Sequence, residues 1–248
     1  MELQDFFREN GEAALAFSGG VDSAYLLYAA CRYGRRVRAY YVQSAFQPRF
    51  EGEDARRLAA ELGAELRVLP VDVLKSPAVA ANPADRCYHC KRLLFSAIQQ
   101  AAEEDGFSLL LDGTNASDEA GDRPGMRALA ELAVRSPLRE CGLTKAEIRR
   151  RSREAGLFTW DKPAYACLAT RIPTGTAITA ADLARTERAE AALAALGFVD
   201  FRVRLLGDAA RIQVRPEQLA LLLERREAVL EQLGRDYGAV LLDLEVRR

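Results

Sequence analysis

The chain is poor in the residues that usually mark a metal centre or a membrane span. Its 248 residues include one histidine, His89, one tryptophan, Trp160, and two methionines. A single histidine excludes a multi-histidine metal site. No apolar run approaches the roughly 18 residues that a membrane helix needs, so no membrane partner is expected. Excess charge is also missing. Lys and Arg total 35 against 36 Asp and Glu, a net charge of −1. That balance gives no broad cationic surface, and no nucleic-acid partner is expected. The first residues, "MELQDFFREN", are acidic and polar and lack the pattern of a secretory signal. The expected compartment is the cytoplasm. The five cysteines are an odd number. In such a chain they read as thiols or metal ligands rather than as a disulfide framework. There is no internal repeat and no low-complexity tract.

What is present is a regular alternation. "EAALAFS", "RVRAYYVQS", "AELRVLPVD" and "FSLLLDGTN" have the short apolar pattern of buried strands. Between them lie the helical stretches "VDSAYLLYAACRYG", "EGEDARRLAAELG" and "RCYHCKRLLFSAIQQAAEEDG". Strands alternating with helices predict an α/β fold with a doubly wound parallel sheet. Ligands of such sheets bind beyond the carboxyl ends of the strands, here Ser18, Ser44, Asp72 and Asp112 to Asn115. The stretch "FTWDKPAYACLATRIPTGT" reads as a long loop of the kind that often serves function. From Ile178 the pattern changes to a helix, a hairpin turning at Gly207-Asp208, a second long helix and a last strand. The expected division is a larger domain over 1–176 and a small α+β domain over 177–248.

The turn after the first strand, "SGGVDS", carries the strongest chemistry. Consecutive glycines at Gly19 and Gly20 let backbone N–H groups approach an anion. The following helix adds its unpaired N–H groups and the positive end of its dipole. Ser18 and Ser23 add hydroxyls. Asp22 would repel a phosphate unless a cation sat between them, which points to Mg²⁺. The turn has no lysine and is not a Walker A loop. Without a ligand, the same residues read as a capped helix start.

Cys87 and Cys90, in "RCYHCK", are separated by two residues at a predicted helix start, where thiols ionise readily. A lone CxxC leaves half a zinc site, a redox pair and a purely structural role open. With Cys167 as a third thiolate, a [4Fe–4S] cluster with one open iron also becomes available. Cys31 and Cys141 read as small packing residues, His89 as partly exposed, and Trp160 as packing for the long loop.

The string from Ser18 to Ser23 resembles the pyrophosphate loop of the N-type ATP pyrophosphatases, which have an adenine nucleotide alpha hydrolase-like fold and cleave ATP between the α and β phosphates. By that resemblance Ser44, Gly113 and Thr114 lie where adenosine sits. "LDGTNASDEAGDRPG", "ELAVRSPL", "KPAYACLATRIPTGT" and "FRVR" follow in order. Together they resemble the LarE family over nearly the whole chain, from about Leu15 to Leu244. The resemblance implies an ATP-dependent sulfur transferase that adenylates the carboxylates of pyridinium-3,5-biscarboxylic acid mononucleotide and converts them to thiocarboxylates. It implies that Arg171 serves catalysis with Asp22 and Cys167. It places Arg123, Glu131, Glu190, Arg202 and Arg204 around the substrate. The plainer reading of Arg202 and Arg204 is one solvated strand face, and of Glu190 a surface charge.

Some family members sacrifice the cysteine equivalent to Cys167, and others hold a [4Fe–4S] cluster on three cysteines. Cys87, Cys90 and Cys167 fill all three positions, so the cluster is the expected sulfur carrier. The cofactors implied are ATP, Mg²⁺ and that cluster. The partners implied are a sulfide donor, a downstream nickel insertase and further copies of the chain in a homo-oligomer. Gln213 departs from the family pattern, where an acidic residue is usual. A tRNA thiolase, an amide-forming ligase and a non-catalytic nucleotide binder are the alternatives. The first would carry an RNA-binding module and the second an ammonia source, and neither is visible.

Overall fold

Alternating side chains along the first two strands face opposite ways, and both sets are buried. Ala13 and Leu15 join one core with Ala39 and Tyr41. Ala14 joins the other with Tyr40 and Val42. Strands buried on both faces need helices on both faces, which explains their continuous apolar character.

The computed structural model describes residues 1–118 and 124–245. In chain order its elements begin with α1 (Leu3–Glu9), β1 (Glu12–Ala16), α2 (Val21–Tyr33), β2 (Arg36–Gln43), α3 (Arg49–Glu61) and β3 (Glu65–Pro70). There follow α4 (Pro77–Ala80), α5 (Arg86–Glu104), β4 (Leu110–Leu111), α6 (Pro124–Glu131), α7 (Pro137–Glu140) and α8 (Lys145–Glu154). The last are α9 (Ala180–Ala195), β5 (Arg202–Leu206), β6 (Ala209–Gln213), α10 (Leu219–Glu224), α11 (Arg226–Leu233) and β7 (Ala239–Leu242).

The described residues form two units, one within 1–73 and 85–165 and one within 74–84 and 166–248, ranges of which 119–123 and 246–248 lie outside the described residues. The first holds a parallel sheet in the order β3-β2-β1-β4. Residues of α1, α2 and α8 build the core on one face. Ile98, Ala101 and Ala102 of α5 cover the other. The second unit holds the sheet β5-β6-β7, in which β5 and β6 are antiparallel and β6 and β7 parallel.

This division differs from a boundary at 176/177. Residues 74–84 and 166–176 belong to the second unit because Asn82 ties them together. Its amide donates to the carbonyls of Pro173 at 2.8 Å and Thr176 at 3.1 Å. The Ala80 carbonyl also accepts from the Ile178 N–H at 2.7 Å. The N-terminal stretch, to which the sequence reading assigns no element, forms α1, with Leu3, Phe6 and Phe7 on one buried stripe. Two local expectations change as well. The long C-terminal helix is two helices, since Arg225 at φ −93° and ψ 10° leaves the helical path. Cys31 is exposed rather than packed, because the buried stripe of α2 is carried by its neighbours Ala29 and Ala30. Cys141 does pack against the core. No helix among the described residues is long and apolar enough to cross a membrane.

Candidate active site

The sheet order puts the carboxyl ends of β2, β1 and β4 side by side, and Ser44, the Ser18–Ser23 turn and Asp112–Asn115 follow those ends. Gly19 takes φ +74°, a left-handed conformation, and a Cβ there would press on Ala55 and the Glu51 carbonyl at 3.2 Å. Glycine therefore lets the turn pass close under α3. No side chain caps the N-terminus of α2, where Gly20 is the N-cap. Its first N–H groups are left for an incoming acceptor. The hydroxyls of Ser18 and Ser23 stand 3.0 Å apart, and Ser23 Oγ donates to the Gly20 carbonyl at 3.2 Å.

Gly113 completes this floor. A Cβ on it would lie 2.8 Å from the Ser23 nitrogen, so the turn after β4 lies directly against the start of α2. Buried Asp112 fixes that turn by accepting from Thr114 Oγ1 at 2.5 Å and from Ser136 Oγ at 2.6 Å. At the end of β2, Ser44 Oγ donates to Gln47 Oε1 at 2.6 Å.

Asp22 points into the same place. Its Oδ2 accepts from Lys145 Nζ at 2.7 Å, while its Oδ1 is buried and has no hydrogen-bond partner among the described residues. Burial pushes its carboxyl above the usual carboxylate range, against the opposing pull of Lys145. A buried carboxylate oxygen with nothing to accept from suits a divalent cation, and the donor set fits Mg²⁺ shared with phosphate. The sequence reading missed Lys145. Its signal was a lysine just after the N-cap Thr144 of α8, seven residues beyond "SPL".

Cys87 and Cys90 are the second and fifth residues of α5, one exposed and one half-buried. Between them, Tyr88 OH donates to both oxygens of Glu131, at 2.8 and 3.1 Å, and Arg127 lies over its ring. Glu131 is thus brought to the CxxC turn. His89 Nε2 lies 3.2 Å from Asp85. Arg123 lies outside the described residues.

In the second unit, Cys167 precedes the short turn Leu168–Arg171. Arg171 donates to the Ala166 carbonyl at 3.0 Å and to Thr170 Oγ1 at 2.7 Å, and Thr170 Oγ1 donates to the Cys167 carbonyl at 2.8 Å. Arg204 donates to the Thr170 carbonyl at 2.9 Å. Two arginines therefore strap the turn that carries Cys167. Arg171 also meets Glu190 in a buried pair, and Glu190 accepts from the Val203 N–H at 3.0 Å, joining α9 to β5. Arg202 is buried rather than on a solvated face, and donates to the Phe201 carbonyl at 2.5 Å. Gln213 bridges Arg204 at 3.0 Å and Asp243 at 3.1 Å, using oxygen to the first and nitrogen to the second. An acidic side chain could not donate to Asp243 in this way.

Soft thiols at a helix start and in a strapped turn are suitable donors for an iron–sulfur cluster. Among the described residues no three His, Cys, Asp or Glu side chains are gathered into a metal-holding group, and the cysteines form no disulfide.

A parallel sheet with a glycine-serine turn opening a helix beneath an acidic side chain defines a nucleotide-binding enzyme of the pyrophosphate-loop type. Residues 12–87 match the family model described as queuosine biosynthesis protein QueC, itself of that type. An uncharacterized protein of Synechocystis is 37% identical over 98% of this chain and 92% of its own length. The pyridinium-3,5-bisthiocarboxylic acid mononucleotide synthase of Lactiplantibacillus plantarum is 35% identical over 93% of this chain and 84% of its own. A tRNA-specific 2-thiouridylase of Thermotoga petrophila is 26% identical over 61% of this chain and 54% of its own. The chain belongs to the LarE family of ATP-dependent sulfur transferases.

Proposed function

We propose that this protein adenylates the carboxylates of pyridinium-3,5-biscarboxylic acid mononucleotide and replaces the activated oxygen with sulfur. The observation that carries the reading is Asp22, whose one oxygen is held by Lys145 and whose other is buried and unbonded beside the Ser18–Ser23 turn. The backbone and hydroxyls of Ser18, Gly19, Gly20 and Ser23 hold the β and γ phosphates, with Asp22 sharing Mg²⁺. Ser44, Gly113 and Thr114 face adenosine.

A carboxylate is a poor electrophile because oxide is a poor leaving group. Its oxygen attacks the α phosphorus, and the bond to the β phosphate breaks with its electron pair passing to pyrophosphate. The acyl-adenylate then accepts sulfur, and AMP leaves. Arg123, Arg202 and Arg204 neutralise the substrate's phosphate and spare carboxylate, with Glu131 and Glu190 as further substrate-site residues. Arg171 holds the Cys167 turn in place.

Cys87, Cys90 and Cys167 would hold a [4Fe–4S] cluster that supplies sulfide on its fourth iron. A separate sulfide donor would replenish it, and a nickel insertase would consume the product. The enzyme works in the cytoplasm as a homo-oligomer. Exchange of labelled pyrophosphate into ATP tests the reading. It should depend on the pyridinium dicarboxylate. Exchange stimulated instead by tRNA or by an amide-forming acid would favour another branch of pyrophosphate-loop enzymes.

A further inference from the structure

Lys162 lies in a connection that the substrate assignment does not use, yet its ammonium reaches the phosphate turn. Nζ donates to the Gly19 carbonyl at 3.4 Å and pairs with Asp54 of α3 at 2.6 Å. The side chain is only 15% exposed, unusual for a lysine, and lies 5.4 Å over the Phe50 ring. Phe50 in turn packs edge-on against Tyr165. Arg149 of α8 fixes the backbone on which Lys162 stands, donating to the carbonyls of Trp160 at 2.6 Å and Lys162 at 2.8 Å. This is an expensive arrangement for a surface ion pair, because four separate contacts serve to place one flexible point charge.

We propose that Lys162 is a phosphate-contacting cation of the adenylation step, held on Asp54 until polyphosphate arrives. The inference rests on the reading of Ser18–Ser23 as the pyrophosphate-binding turn. Asp54 alone would repel a polyphosphate beside Gly19, and its pairing with Lys162 removes that obstacle. An ammonium has three donors on a rotatable stem, so it can exchange one carboxylate for a phosphate oxygen without moving its backbone. When the α–β bond breaks, the electron pair left on pyrophosphate lies where Lys162 can neutralise it. No proton transfer or redox step is required of the lysine.

The test measures binding of Mg–pyrophosphate to the full chain by calorimetry, with a thermal melt for each variant. Lys162→Met keeps the stem and removes the charge. It should weaken pyrophosphate binding about tenfold or more, the scale of one charge-assisted contact, while AMP binding is kept. Lys162→Arg should restore much of the loss. Asp54→Asn removes the competing anion and should tighten pyrophosphate binding. A purely structural pair would instead lower both melting temperatures and leave pyrophosphate affinity alone, and that result overturns the proposal. If Lys162→Met does not fold, Asp54→Asn decides: tighter binding supports the assignment and weaker binding overturns it. If the wild type releases no pyrophosphate with the pyridinium dicarboxylate but Lys162→Met still loses affinity, the substrate reading fails and Lys162 stands. A wild type that binds no pyrophosphate overturns both.

Discussion

Arg171 and Glu190 hold each other in a buried two-point ion pair, with Nε to Oε1 at 2.6 Å and Nη2 to Oε2 at 3.1 Å. The two side chains are 1% and 7% exposed. Removing one partner would leave the other charge buried. Arg171→Ala and Glu190→Ala should each cost about 3 to 5 kcal/mol of stability. Urea titration of both variants and the double variant checks this. The double variant should be less destabilised than the sum of the two. Additive losses would mean that the pair is not the source of the effect.

Asp22→Asn should abolish AMP and pyrophosphate formation and leave the fold intact. Asparagine can still accept from Lys145, but it no longer offers a negative oxygen to a cation. Burial raises the folded-state pKa of Asp22 above its unfolded value. Its ionised form therefore costs stability, and that cost grows as pH rises from the ordinary aspartate pKa to the raised one. Thermal melts across that window should show wild-type stability falling relative to the variant. Pyrophosphate release at the wild-type rate would refute the role.

Arg202→Ala and Arg204→Ala should weaken binding of the pyridinium mononucleotide and spare ATP. The loss of one charge-assisted contact is about 1.5 to 3 kcal/mol. Equilibrium binding of both ligands, on variants shown to be folded, reads the difference. Unaltered substrate affinity in both would return these arginines to a structural role.

Anaerobic reconstitution should load about four irons per chain, the count of one [4Fe–4S] cluster. Changing Cys87, Cys90 or Cys167 to Ala should lose the iron. Mass spectrometry after turnover provides the opposing arm. If Cys87→Ala and Cys90→Ala retain full sulfur transfer while Cys167 becomes dehydroalanine, Cys167 is a sacrificial donor.

Gly113→Ala should impair nucleotide binding without touching any charged group. Its Cβ would meet backbone at Ser23 at 2.8 Å, and no side-chain rotation can relieve that. Calorimetric ATP affinity should fall, and an unchanged value would mean that the two turns can separate freely.

The sequence alone determined the features whose cause is local. Strand and helix periods follow from backbone geometry, so Ala13 to Ala16 and the α5 stripe were readable without knowing their partners. The Ser18–Ser23 turn and its helix start were readable because glycine conformation and a helix N-terminus act within a few residues. The cysteines were visible as residue types at a spacing. Tertiary structure decided which charges meet. Lys145 and Asp22 are 123 residues apart, and Lys162 and Asp54 are 108 apart. Neither pairing has a local signature, because each depends on which loops the sheet order brings to the ends of β1 and β2. The same holds for Asn82, whose single amide draws residues 74–84 away from the unit that surrounds them in sequence. It holds too for Arg171, whose charge the motif displays and whose partner only the packing of α9 selects.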